Sequence, residues 1–206
     1  MTTSNVTQRT RFSFPTLPAS VPNRGNPFLQ KIAAFLFGLW GWQVDGNLPD
    51  DVSQAVVIGA PHTSNWDFII AMITVFAFDI KLSILGKHTI FVWPFRRLLY
   101  WMGIVPTDRR AAQGYVSQAI NQFTQHDRFL LGIAPEGTRS KVTKWKHGFY
   151  YIAQGANVPI VPIGLDFGGK RIKIGPKIWA SGDLEEDMVQ IQAFYADVVG
   201  KNPHLG

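Results

Sequence analysis

The chain has 206 residues, enough for one substantial core, and no shift of composition along it marks a second domain. Apolar residues make up 46 %, charged ones 17 % and aromatic ones 13 %, so the chain is neither a disordered tail nor a highly charged surface protein, and handling of an apolar partner is expected. A net charge of +6 favours anionic partners, and the absence of cysteine excludes a disulfide framework, a thiolate metal site and a cysteine nucleophile.

Residues 1–24 are rich in Thr, Ser, Asn and Pro and read as a loose tail. Asn26-Pro27 opens a predicted apolar N-terminal helix running to about Trp42. Thirteen uncharged residues, Ile32 to Val44, separate Lys31 from Asp45, short of the roughly 18–20 needed to span a bilayer. That helix is either a core helix or one lying in a membrane interface. Residues 54–60 form a short apolar run suited to a buried strand, broken at Pro61, and a helix is predicted from Trp66 to about Phe78. A strand over Leu82–Leu85 precedes a helix carrying Trp93–Met102, which leads into Ile104-Val105. Residues 111–126 space Ala112, Tyr115, Val116, Ala119, Ile120 and Phe123 as one helical face. Further on come a strand at Phe129–Ile133, a helix at Gly148–Gln154, strands at Pro159–Leu165 and 171–174, and a last helix over about 184–199. Strands alternating with helices predict a single layered α/β domain with a mostly parallel central sheet flanked by helices, whose ligands gather at the carboxyl ends of the strands.

His62 follows the first buried strand and Asp67 stands five residues on. In one regular helix five residues turn through about 500°, so the two side chains could meet only if His62 precedes the helix. Ser64 is a good N-cap, and Asp67 lies three residues beyond it. Spacing therefore leaves two readings: Asp67 completes a capping box beside a loop histidine, or Asp67 orients the imidazole so that its other nitrogen is a free base for an alcohol. In the second reading the hydroxyl attacks a thioester carbonyl directly, and backbone N–H groups at the helix start are candidate donors to the developing oxyanion.

Four segments in order resemble the four blocks of the glycerolipid acyltransferase superfamily, which includes the lysophosphatidic acid acyltransferases. They are His62-Thr63-Ser64-Asn65-Trp66-Asp67, Gly103-Ile104-Val105-Pro106-Thr107-Asp108-Arg109, Pro135-Glu136-Gly137-Thr138-Arg139-Ser140 and Val158-Pro159-Ile160-Val161-Pro162-Ile163. The resemblance spans about half of the chain and implies an acyltransferase domain over 25–206. It implies His62 as general base, Asp67 as its orienting partner, and a substrate site built from Arg109, Glu136, Gly137, Thr138 and Arg139. Guanidinium groups suit phosphate because they donate in a planar fork. A carboxylate repels phosphate, so Glu136 is expected to pair with an arginine or accept from a glycerol hydroxyl. Lys146, in the basic segment after the third block, is a candidate headgroup contact.

The resemblance further implies an acyl donor that is a thioester of coenzyme A or of acyl carrier protein, used as a substrate with no resident cofactor or metal, and a lysophospholipid such as 1-acylglycerol-3-phosphate as acceptor. The expected setting is the cytoplasmic face of a membrane, peripheral or monotopic, on anionic lipid and without nucleic acid. Many family members carry Asn before the histidine where this chain has Pro61, which leaves the acceptor open. A non-catalytic membrane-surface module of the same fold is the alternative. Gly164-Leu165-Asp166-Phe167-Gly168-Gly169-Lys170-Arg171 imitates a phosphate-binding loop but lacks its Ser or Thr and precedes a strand pattern. His88, His126, His147 and His204 show no metal-ligand spacing.

Overall fold

Among the described residues seven strands form one sheet; by place in the chain, the order across it is first, seventh, sixth, second, fifth, third and fourth, with every neighbouring pair parallel except the sixth and seventh. The computed structural model describes residues 17–107 and 112–205. The strands are β1 (Gln43–Asp45), β2 (Gln54–Ala60), β3 (Leu82–Lys87), β4 (Ile104–Thr107), β5 (Phe129–Ile133), β6 (Ile160–Asp166) and β7 (Arg171–Ile174). The helices are α1 (Pro27–Leu39), α2 (Asn65–Ala77), α3 (Arg96–Met102), α4 (Ala112–Thr124), α5 (Gly148–Ala156) and α6 (Leu184–Phe194). The expected layered α/β domain with a mostly parallel sheet is what the chain forms.

Side chains alternate across the sheet, as a two-residue period requires. Val56 and Ile58 of β2 join Leu131, Ile160, Phe149, Ile152 and Ile191 in one core beneath α4, α5 and α6. Ala55 and Val57, from the same strand, face the opposite side with Leu130, Val161 and Ile163. There the second layer is α2, whose Ile70 packs with Phe37 of α1 and with Leu165 and Ile172 of the sheet.

Three elements differ from expectation. Residues 17–24 belong to the fold: Val21 is buried, Asn23 bridges to Ile80, and the Arg24 guanidinium donates to the carbonyls of Ile80, Trp101 and Met102 at 2.9, 3.0 and 2.6 Å. Those carbonyls are the orphan acceptors that strand and helix ends leave behind, and a guanidinium fork serves several at once. Residues 1–16, the rest of the expected tail, lie outside the described residues. Strand β1 pairs with β7 at the sheet edge where no strand was expected. Helix α6 ends at Phe194, short of 199, and the chain then runs along the end of β6.

Candidate active site

Strands β2 and β5 are parallel neighbours, so their carboxyl ends lie side by side and bring Pro61-His62 next to Ala134-Pro135-Glu136. Beyond β2 the chain turns directly into α2, capped by Ser64. Asp67 is buried and its Oδ2 accepts from Thr63 N and from Ser64 N, both at 2.6 Å. The same oxygen lies 3.2 Å from Nδ1 of His62. The two readings left open by spacing are thus one arrangement, in which the capping carboxylate also faces the imidazole. With Nδ1–H toward the carboxylate, Nε2 is left as the base. Asp67 Oδ1 is the buried side-chain polar atom without a hydrogen-bond partner among the described residues. The capping box occupies the Trp66 and Asp67 N–H groups with the Ser64 side chain, so those two of the candidate oxyanion donors are already engaged.

Glu136 was expected to pair with an arginine or to accept from a glycerol hydroxyl. It is buried, and its Oε2 accepts from the backbone N–H of His62 at 2.7 Å. In that place the carboxylate holds the loop that carries His62, and Glu136 is not among the residues that line the cavity. Burial pushes its carboxyl up from the usual range, the His62 N–H and imidazole pull it back, and the charge of Asp67 pushes it further up.

His62 and Asp67 line a cavity of about 1230 Å³ whose wall takes in residues of α2, of the strands, of α4 and of α5. This exceeds the roughly 300–1,000 Å³ of ordinary ligand pockets. Its floor is apolar, with Val57, Leu82, Leu130 and Ile163 from the strands and Phe68 and Val75 from α2. Gly59 and Gly132 also face it. Thr138, Arg139, Ser140 and Lys146 add polar and cationic groups to the same wall. Arg139 and Lys146 are exposed cations there, and neither has a resolved ion pair among the described residues. Gly137 has φ +67°, and a Cβ on it would lie 3.0 Å from Lys146 Nζ, so the glycine lets the lysine fold back across the turn. Thr138 Oγ1 accepts from Ser140 N at 3.3 Å and shapes the same turn. Arg109 lies outside the described residues, while β4, which precedes it, forms the sheet edge beyond β3. Among the described residues no group of three or more His, Asp or Glu side chains is placed to hold a metal ion.

Of the expected site residues, His62, Asp67, Gly137, Thr138, Arg139 and Lys146 line this one cavity. Asn202 was not expected there; its backbone N–H and side-chain amide donate to Thr63 Oγ1 and O at 3.1 and 2.8 Å. Nothing in the sequence around Asn202 marks it, because the contact spans 139 positions.

The family model described as Acyltransferase matches residues 43–166, which include all four blocks. Among solved structures the chain is similar to the 1-acyl-sn-glycerophosphate (LPA) acyltransferase PlsC from Thermotoga maritima. The TM-score is 0.56 at 19 % identity, covering 81 % of this chain and 76 % of that one. No curated protein matches the sequence.

Proposed function

We propose a reaction from one premise, that the chain belongs to the Acyltransferase family. It transfers a fatty acyl group from a thioester of coenzyme A or of acyl carrier protein to a hydroxyl of a lysophospholipid such as 1-acylglycerol-3-phosphate. The observation that carries this reading is a His–Asp pair, 3.2 Å apart, on the wall of a large cavity whose lining is mostly apolar and includes the cations Arg139 and Lys146. An acyl chain fits the apolar lining, and a phosphate fits Arg139 and Lys146.

His62 Nε2 takes the proton of the acceptor hydroxyl as its oxygen bonds to the thioester carbonyl carbon. Asp67 stabilises the imidazolium that forms. When the carbon–sulfur bond breaks, the imidazolium returns the proton to the leaving thiolate, giving the acylated lipid and a free thiol. No enzyme nucleophile is required. Arg139, and Arg109 by its place in the second block, bind the acceptor's phosphate through paired N–H donors.

A membrane surface is the proposed setting. No helix of the described residues is long and apolar enough to cross a membrane. Helix α1 carries Phe28, Ile32, Phe35 and Leu39 on one exposed stripe, opposite buried Ala33 and Phe37. Trp93, 91 % exposed, stands beside exposed Arg96 and Arg97, a combination suited to anionic headgroups.

The test is incubation of the purified protein with a labelled acyl thioester and a panel of lysophospholipids and glycerol phosphate, followed by identification of the product. An acylated lysophospholipid is expected. Lipid binding with no acyl transfer to any acceptor would instead make the chain the non-catalytic surface module.

A further inference from the structure

The segment after α6 lies outside the matched family region and closes on the loop that carries the base. It is fastened along its way. Tyr195 Oη donates to the Ile58 carbonyl of β2 at 2.8 Å, Phe167 N donates to the Val199 carbonyl at 2.8 Å, and Val199 N donates to Asp166 Oδ1 at 3.3 Å. Next, Gly200 passes so close to the loop that a Cβ there would lie 3.0 Å from Pro61 Cγ and from Thr63 Cγ2 and Oγ1. Asn202 then bonds Thr63 twice, its N–H donating to Oγ1 and its side-chain amide to the Thr63 carbonyl. Thr63 is 3 % exposed, and its own N–H is one of the two held by Asp67.

We infer that Asn202 is a positioning residue for the transfer reaction: it clamps Thr63, the residue after His62, and so fixes the imidazole of His62 against Asp67. Glu136 grips the loop at the His62 N–H, and Asn202 grips it one residue later, so the loop that carries the base has two anchors supplied by distant parts of the chain. A loop held at one end only can rotate about the other. An error of about 1 Å in the place of a base costs on the order of 100-fold in rate. The proposal rests on the acyltransferase reading of His62.

The two contacts can be removed separately. Asn202→Ala deletes the side-chain donor to the Thr63 carbonyl. Thr63→Val keeps the shape of Thr63 but deletes the oxygen that accepts from Asn202 N. Thr63→Ser keeps that oxygen and serves as the conservative control. In the full chain, N202A and T63V are each expected to lower kcat by about 10-fold with the KM of both substrates within about twofold of wild type, and T63S to stay near wild type. Amide hydrogen exchange over residues 62–67 should speed up in N202A, whatever the activity. Unchanged exchange there overturns the tether even if the enzyme is active. A raised KM with normal kcat makes Asn202 a substrate contact, and a lowered unfolding midpoint with normal kcat makes it a merely structural one; either overturns the proposal. A wild-type protein without transferase activity would refute the acyltransferase reading, and faster exchange in N202A would still be measurable and distinguish that failure from this one.

Discussion

Replacing Glu136 by Gln and by Ala separates a loop anchor from a substrate ligand. The Glu136 carboxylate is buried and accepts the His62 N–H at 2.7 Å. Alanine leaves that N–H without its acceptor, and a hydrogen bond to a charged group contributes about 1.5–3 kcal/mol. Glutamine can still present an oxygen at that point, giving up charge assistance but also the cost of burying a charge, so its net effect should stay within about 1 kcal/mol. The pH dependence gives a sharper test. Burial, ahead of the opposing pull of His62, raises the Glu136 carboxyl above its ordinary value of 4.5. The folded protein therefore keeps this proton to higher pH than the unfolded chain does. Glu136's contribution to stability is complete below the unfolded value and is lost as pH rises through the raised folded value. Gln does not titrate, so the stability of E136Q relative to wild type should improve from about pH 4 toward neutrality. Urea unfolding midpoints at a series of pH values measure this. A difference that is flat with pH, or that shrinks as pH rises, refutes the buried-carboxylate argument. Activity supplies the second arm: E136Q should hold kcat within a few-fold while E136A loses about 10-fold, with acceptor KM unchanged in both. A rise in acceptor KM in E136Q would return Glu136 to the substrate.

His62→Ala should lower turnover by at least about 100-fold with the unfolding midpoint little changed, and combining it with a change at Asp67 should add little, which steady-state kinetics on the single and double variants will show. Arg139→Ala and Arg109→Ala should each lower kcat/KM for a phosphorylated acceptor by roughly 10-fold to 150-fold, with Lys rescuing only in part. Equal fractional losses on an acceptor without phosphate would remove the phosphate assignment. On vesicles, Trp93→Ala and Arg96→Ala-Arg97→Ala should each weaken binding to anionic lipid in flotation assays, the second mostly at low salt. Identical flotation by wild type and variants would place the membrane contact elsewhere.

Much of this architecture was legible because its strands are short, apolar and bounded by turn residues. The expected run over 54–60 is β2 itself, and the 129–133 run is β5. Helix α2 was marked at its start by Ser64, and the same spacing gave Asp67 its place. Strand β1 was invisible because three residues are too few for a period to show, and its pairing partner β7 is 128 positions away at Gln43 and Arg171. The burial of Val21 and the fork of Arg24 depend on carbonyls at the ends of α2 and α3, which no local pattern records. The contact of Glu136 with the His62 N–H was not foreseen for the same reason. A carboxylate between glycine and proline in a motif full of cations looks like a ligand, and only the adjacency of β2 and β5 shows that its partner is a backbone N–H.

Asp67 is where fold and chemistry share one atom, and this changes what its amide should do. Oδ2 accepts from Thr63 N and Ser64 N and also faces His62 Nδ1, while buried Oδ1 has no partner among the described residues. In Asp67→Asn the amide oxygen must take the Oδ2 position, because two backbone donors at 2.6 Å would meet the amide N–H groups head-on in the other orientation. The oxygen that faces Nδ1 is then still an acceptor, so the imidazole keeps its tautomer and Nε2 remains the base. What disappears is the negative charge beside the imidazolium. Hydrogen bonds to charged groups contribute about 1.5–3 kcal/mol against about 1 kcal/mol for neutral ones, so kcat should fall by roughly 2-fold to 30-fold, well short of the ≈ 10⁴ lost where an amide imposes the wrong tautomer. Asp67→Ala differs, since it also removes the cap and should lower stability by about 0.5–2 kcal/mol. Asn should therefore unfold close to wild type in urea and Ala distinctly earlier. If Asn is as unstable as Ala, the amide has not taken over the cap. If Asn retains stability but loses about 10⁴ in kcat, its amide nitrogen faces the histidine, and the shared-oxygen account of this site is wrong.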